Sequence, residues 1–223
     1  MTKDPQLIIF DMDGLMIDSE TLALNAWRQT AHELNMHIPE EVFFSMIGLN
    51  LDACKARMIE YTGSTFDFDN AIIMLHGFME KHIIEHGLPL KPGLHHILDK
   101  LEEADIKKSV ATGTYYERAM GKLEQAGVAH RFNAIIAGDQ VAHSKPAPDI
   151  FLKAAESCDV APKNCIVLED SIPGAEAARR AGMRVIVIPD LIPPLAETRE
   201  FALAICKDLY EACSIIEKIV DSQ

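Results

Sequence analysis

Basic residues are scarce in this chain of 223 residues: 21 Lys and Arg stand against 34 Asp and Glu, a formal charge of -13. No Lys or Arg run is long enough to override that balance locally. So acidic a chain repels nucleic acid and anionic membrane surfaces, and neither is expected as a partner. Long apolar runs are also missing. Residues 1–6 are polar, and the run that follows is too short for a signal peptide or a membrane span. The five cysteines, Cys54, Cys158, Cys165, Cys206 and Cys213, form an odd set without Cys-x-x-Cys spacing. That excludes a disulfide framework and suits a reducing compartment, with the thiols acting as small buried hydrophobes. A cytoplasmic location is the expectation. Internal repeats and low-complexity tracts are absent too.

What is present is a globular composition, 48% hydrophobic and 25% charged, long enough for one core plus a small second domain. Its most informative stretch is Leu7-Ile8-Ile9-Phe10-Asp11-Met12-Asp13-Gly14. A short apolar run ending in carboxylates reads as a buried parallel strand that delivers Asp11 and Asp13 to the carboxyl edge of a sheet, where ligands of open α/β sheets bind. Gly14 lets the chain turn there. A calcium loop would need Glu at the twelfth position from Asp11, and that position is Leu22.

After residue 18 the periodicity becomes helical, with Ser19 as an expected N-cap and helices at 40–46, 51–61 and 68–86. This predicts a bundle of about four helices. Two prolines and two glycines in 87–93 form a linker. Beyond it, helices at 94–104, 116–126, 149–157, 172–181 and 210–220 alternate with strands at 108–111, 134–137, 165–168 and 184–188, and 201–205 reads as a short edge strand. Such alternation predicts a doubly wound parallel sheet of the α/β class, with the bundle inserted after the first strand. The expected domains are therefore 1–17 with 90–223, and 18–89.

Three further strand ends carry chemistry. Thr112-Gly113-Thr114 offers a hydroxyl and backbone N–H groups to a phosphate. Ser144-Lys145-Pro146-Ala147-Pro148-Asp149 holds a lysine in a stretch stiffened by proline, and Leu168-Glu169-Asp170 ends another apolar strand in paired acids. Each alone has an ordinary reading: a hydroxyl turn, a solvated lysine, an acidic helix start. Together they place four carboxylates at one edge, which calls for a cation, and oxygen-only ligands select a hard ion such as Mg²⁺. Thr112, Gly113 and Lys145 would anchor a phosphoryl group. At an effective dielectric near 20 a charge pair about 4 Å apart is worth about 4 kcal/mol, enough for Lys145 to keep Asp11 ionised as a nucleophile.

These residues, in this order, resemble the motifs of the haloacid dehalogenase-like (HAD) superfamily of hydrolases, in the branch with a helical cap after the first strand of a Rossmann-like core. Asp11-Met12-Asp13-Gly14 matches the first motif, Thr112 the second, Lys145 the third and Glu169-Asp170 the fourth. The resemblance implies an aspartyl-phosphate on Asp11, with Asp13 as acid and then base. It implies phosphoryl binding by Thr112 and Lys145, and Mg²⁺ on Asp11, Asp13 through its carbonyl, Glu169 and Asp170. Asp13 points to phosphate chemistry instead of carbon–halogen cleavage. The expected substrate is a small phosphorylated metabolite, a sugar or polyol phosphate. β-Phosphoglucomutase-like mutases are the alternative, but counting from the nucleophile places Ala23 and Leu51 where mutases carry His and Arg. A non-catalytic phosphometabolite sensor is the third reading. Candidate substrate contacts also include Gly14, Glu20 and, in the turn Gly48-Leu49-Asn50, Asn50. Oligomeric state is left open, a monomer being compatible.

One stretch points elsewhere. His82-Ile83-Ile84-Glu85-His86 fits H-x-x-E-H, a zinc-peptidase pattern that needs a firm helix and a third ligand. Gly87 and Pro89 follow at once, so an ordinary solvated helix end is the competing reading.

Overall fold

The computed structural model describes residues 4–47 and 51–222. The chain divides into two compact units, Met1–Asp18 with Leu90–Gln223, and Ser19–Pro89. The division falls one residue later than the sequence suggests, with Asp18 in the first unit, where its carboxylate pairs with Lys91.

The first unit is a six-stranded sheet in the order β3-β2-β1-β4-β5-β6, every pairing parallel. Its strands are β1 (Leu7–Phe10), β2 (Lys107–Ala111), β3 (Ala134–Ile136), β4 (Cys165–Glu169), β5 (Arg184–Val187) and β6 (Ala204–Ile205). Every side chain of β1 is fully buried, as expected of a central strand covered on both faces. Phe10 sits beside Val110 of β2 and Leu168 of β4, so the three chains leave the sheet side by side. This is the Rossmann-type order, whose direction reverses between β1 and β4 and opens a crevice at the carboxyl ends there.

The helices of this unit are α5 (Leu94–Glu103), α6 (Tyr116–Gln125), α7 (Asp149–Ser157), α8 (Ile172–Arg180), α9 (Ala196–Phe201) and α10 (Leu209–Asp221). Residues 201–205 correct the sequence reading. Phe201 ends a helix, and the edge strand is only two residues long, because the Ala202 N–H bonds back to the Thr198 carbonyl and delays the extended conformation.

The second unit contains α1 (Ser19–Glu33), α2 (Glu40–Phe44), α3 (Leu51–Thr62) and α4 (Phe68–His86). Ser19 is the first residue of α1, not the residue before it. The single Trp of the chain, Trp27, stacks on Phe43 at 5.8 Å between ring centroids and lies 6.1 Å from Phe68, which ties α1, α2 and α4 together.

The two connections to this insertion are fastened to each other at their root. Ile17 and Leu90 form an antiparallel bridge, and the Lys91 N–H donates to the Met16 carbonyl at 2.9 Å. The Lys91 ammonium lies 3.0 Å from Asp18 and 2.5 Å from Asp190, just past β5. Among the described residues no helix is long and apolar enough to cross a membrane. All five cysteines are free, four of them buried.

Candidate active site

Asp11 leaves β1 with its N–H on the Leu168 carbonyl of β4 (3.0 Å), which fixes its backbone at the crevice. Gly14, at φ +85°, then reverses the chain. Glycine suits the position, because that φ strains any L side chain and a Cβ would stand 2.2 Å from Asp170 Oδ2 and push it aside. Glu169 closes β4, fully buried, and Asp170 follows it.

Lys145 joins the two strand ends. It lies between β3 and α7, and its ammonium donates to Asp11 Oδ1, to Glu169 Oε1 at 2.6 Å and to the Ala111 carbonyl of β2 at 3.2 Å. These three bonds exhaust its donors. The other oxygen of Glu169, Oε2, accepts from the Ser171 N–H (2.8 Å) and Oγ (2.9 Å), and Ser171 Oγ accepts from the Gly174 N–H at the start of α8. Glu169 is thereby a buried strut that orients Lys145. Gly174 packs against it so closely that a Cβ would fall 1.7 Å from Glu169 Oε1.

Thr112, buried at the end of β2, accepts the Thr114 N–H on its hydroxyl at 3.1 Å, leaving its O–H to donate. The Asp13 carboxylate is held at both oxygens, by Thr114 Oγ1 at 2.8 Å and by the Lys122 ammonium of α6 at 2.5 Å. The turn carrying Gly113 is braced from the β3 side. The Gly138 N–H bonds the Thr114 carbonyl at 3.1 Å, and a Cβ on Gly138 would lie 2.3 Å from the Gly113 carbonyl oxygen.

The electrostatics are those of an acidic centre. Burial pushes the Asp11 carboxyl up to about 7 against the pull of Lys145, with Glu169 adding repulsion. Burial, then Glu169 and Asp11, push Asp170 up to about 10. Burial works to lower Lys145, but Asp11 and Glu169 together hold it above the ordinary lysine value. Asp11, Asp13, Glu169 and Asp170 face two ammonium groups, Lys145 and Lys122, which leaves the charge deficit that one divalent cation fills. Asp11, Glu169 and Asp170 each offer an oxygen within 4.8 Å of the others, and an all-oxygen donor set suits a hard cation. The residues therefore fit a metal. Asp170→Asn removes a carboxyl whose ionisation burial, Glu169 and Asp11 disfavour in the folded protein. In EDTA the variant should melt above the wild type, and only the wild type should be stabilised by added divalent ion, by about 2.7 kcal/mol at a hundred times the dissociation constant. Equal stabilisation of both proteins would remove Asp170 from the ligand set.

The structure brings together Asp11, Asp13, Gly14, Thr112, Gly113, Lys145, Glu169 and Asp170. Glu20 stands in α1 of the second unit, where its charge raises the Cys54 thiol after the larger effect of burial. Asn50, with Gly48 and Leu49, lies outside the described residues. Sequence reasoning missed Lys122, Ser171, Gly138 and Gly174. The hydroxyl of Thr114 was the available signal for the Asp13 contact, but Lys122 looks like one more charge on the polar face of an amphipathic helix. His86 sits on the last turn of α4 and His82 one turn before it, with rings 4.8 Å apart. Among the described residues the metal-capable group of three is the Asp11 cluster, and the zinc-peptidase pattern has no third ligand.

Fold and site together define an enzyme of the Rossmann-like class built around an acidic, lysine-bridged centre. The family model described as haloacid dehalogenase-like hydrolase matches residues 8–188, and the chain belongs to that family. Fructose-1-phosphate phosphatase YqaB of Escherichia coli is 34% identical over 181 residues, covering 80% of this chain and 94% of that protein. β-Phosphoglucomutase of Bacillus subtilis is 26% identical over 224 residues, 95% of this chain and 98% of that one. A Thermotoga maritima crystal structure provisionally assigned as a β-phosphoglucomutase superposes with a TM-score of 0.81 at 26% identity, covering 96% of this chain and 99% of that one.

Proposed function

We propose that this enzyme is a Mg²⁺-dependent phosphatase that hydrolyses a small sugar or polyol phosphate through a phosphoryl group carried on Asp11. The observation that carries the reading is Lys145, which spans Asp11 and Glu169 at the ends of β1 and β4 while Asp13 stands free of it on a separate pair of donors. Held by Asp11, Asp170 and the Asp13 carbonyl, with Glu169 behind, Mg²⁺ would neutralise the carboxylates and the phosphoryl oxygens. Lys145 orients the Asp11 oxygen for in-line attack. The Thr112 hydroxyl and the N–H groups of the Gly113 turn would receive the phosphoryl oxygens as charge develops on them. Asp13 gives its proton to the leaving oxygen and takes one from the water that frees Asp11. The unit Ser19–Pro89 is assigned the role of a cap that reads the leaving group and excludes bulk water, with Glu20 and Asn50 as its candidate contacts.

A mutase reading is favoured by the Bacillus subtilis and Thermotoga maritima relatives. Against it, the positions where mutases carry His and Arg are Ala23, with no proton to exchange, and Leu51, with no cation for a second phosphate.

The test is phosphate release from p-nitrophenyl phosphate, fructose 1-phosphate and glycerol 3-phosphate, with a parallel assay for conversion of β-glucose 1-phosphate to glucose 6-phosphate. Release is expected with Mg²⁺ and is expected to fall by at least about 10²-fold in EDTA, since the acidic centre is left uncompensated. Turnover indifferent to EDTA would overturn the metal assignment, and isomerisation faster than phosphate release would hand the site to the mutase.

A further inference from the structure

We infer that Lys122 is a positioning residue for Asp13, and that it sets proton delivery to the leaving group. The inference rests on the reading of Asp13 as the acid and base of the reaction. Asp13 lies two residues beyond β1, in the turn closed by the Gly14 N–H on the Ile17 carbonyl, and nothing within that turn fixes its side chain. Both of its donors come from elsewhere. Thr114 Oγ1, from the turn after β2, takes Oδ2, and the Lys122 ammonium, from the last turn of α6, takes Oδ1. Lys145 cannot serve in its place, because its three donors are committed to Asp11, Glu169 and Ala111.

The ordinary alternative is a surface ion pair worth about 0–1 kcal/mol of stability and nothing else. Three features distinguish this pair. Its partners are 109 residues apart, and the two side chains are only 34% and 27% exposed. The helix that carries Lys122 is anchored by the fully buried Ala119 and Leu123, so the ammonium is presented by a rigid element. The carboxylate is also gripped at both oxygens, which fixes its plane as a single donor would not.

In the first half-reaction an Asp11 oxygen bonds to phosphorus, the bond from phosphorus to the leaving oxygen breaks, and the Asp13 carboxyl proton moves to that oxygen. In the second, water bonds to phosphorus and gives a proton to Asp13, and the bond between phosphorus and Asp11 breaks. Both proton transfers need Asp13 in place, and a displacement of about 1 Å can cost roughly 10²-fold, but only the transfer to the leaving oxygen depends on the ester. An alkoxide requires that proton. A nitrophenolate departs without it.

The experiment compares Lys122→Met and Lys122→Arg with the wild type on p-nitrophenyl phosphate and on fructose 1-phosphate or glycerol 3-phosphate, whichever the wild type hydrolyses faster. Lys122→Met is expected to lower the single-turnover rate of alcohol release from the alkyl ester by about 10- to 100-fold with KM little changed, and to leave single-turnover release of nitrophenolate within about threefold. Lys122→Arg, which keeps a donor to Oδ1, is expected to regain most of the loss. Equal losses on both esters, a change confined to KM, or unaltered kinetics with a lower melting temperature would reduce Lys122 to a structural ion pair and overturn the inference. A wild type that releases phosphate from none of the three esters would overturn the phosphatase reading itself, and the inference with it.

Discussion

Asp11→Asn is expected to lower phosphate release by about 10⁴-fold or more, the scale on which removal of a nucleophile acts, while the protein stays folded. The amide keeps the volume and an acceptor for Lys145 but has no anionic oxygen to attack phosphorus. Stability should not fall with activity. Wild-type Asp11 is a buried carboxylate beside Glu169 and Asp170, and burial and repulsion already push it towards its neutral form. Lys145 keeps Glu169 and Ala111 as partners in the variant. The measurement is steady-state turnover beside a thermal melt in EDTA, with mass spectrometry of acid-quenched wild type to find a phosphoryl group on the peptide that contains Asp11. Turnover within tenfold of wild type would rule out covalent catalysis at this residue.

The second large effect is expected from a residue that touches no reacting atom. Gly138→Ala places a methyl group 2.3 Å from the Gly113 carbonyl oxygen and 2.9 Å from its carbon. Both are backbone atoms, which cannot rotate aside as a side chain could, so the turn from Thr112 to Thr114 has to move. Overpacking of this kind costs about 1–3 kcal/mol. The larger loss should be catalytic, because that turn carries the Thr112 hydroxyl and the Thr114 donor to Asp13, and a shift of about 1 Å there can cost roughly 10²-fold. Gly77→Ala in α4 makes a fair control, since a Cβ there meets nothing within 4 Å and the residue lies outside the site. A Gly138→Ala enzyme as active as Gly77→Ala would show that the brace between the two turns carries no catalytic weight.

Gly138 also marks the limit of what the sequence discloses. Asp11, Asp13, Thr112, Glu169 and Asp170 were legible because each lies at or just past the end of an apolar run, and a parallel sheet brings such ends to one edge whatever the details of packing, whereas Lys145 stood out by the prolines that follow it. The parallel order itself followed from the alternation of strands and helices. Lys122 was not legible: its partner is 109 residues away, and on its own helix it is one of several solvated charges. Gly138 and Gly174 were hidden for a related reason. Each matters for the atom that would collide with its missing side chain, the Gly113 carbonyl in one case and Glu169 in the other, and no local pattern encodes that collision. The role of Glu169 shifted as well. From spacing it reads as half of an acidic pair, whereas its bonds to Lys145 and Ser171 make it the post that holds the lysine in place.

The fastening of Ile17 to Leu90, with Lys91 between Asp18 and Asp190, has a consequence for what this scaffold can carry. In polymer terms it is a closed loop mouth. The ends of the intervening segment are joined by contacts made wholly within the sheet unit, so the entropy of closing the loop depends only weakly on how long that segment is, about 0.6 kcal/mol for each doubling. The catalytic edge is thereby insulated from the size and sequence of whatever is spliced between residues 18 and 90. A different helical module could be grafted at this socket, giving the same aspartate a new leaving group to read without rebuilding the strands that hold it.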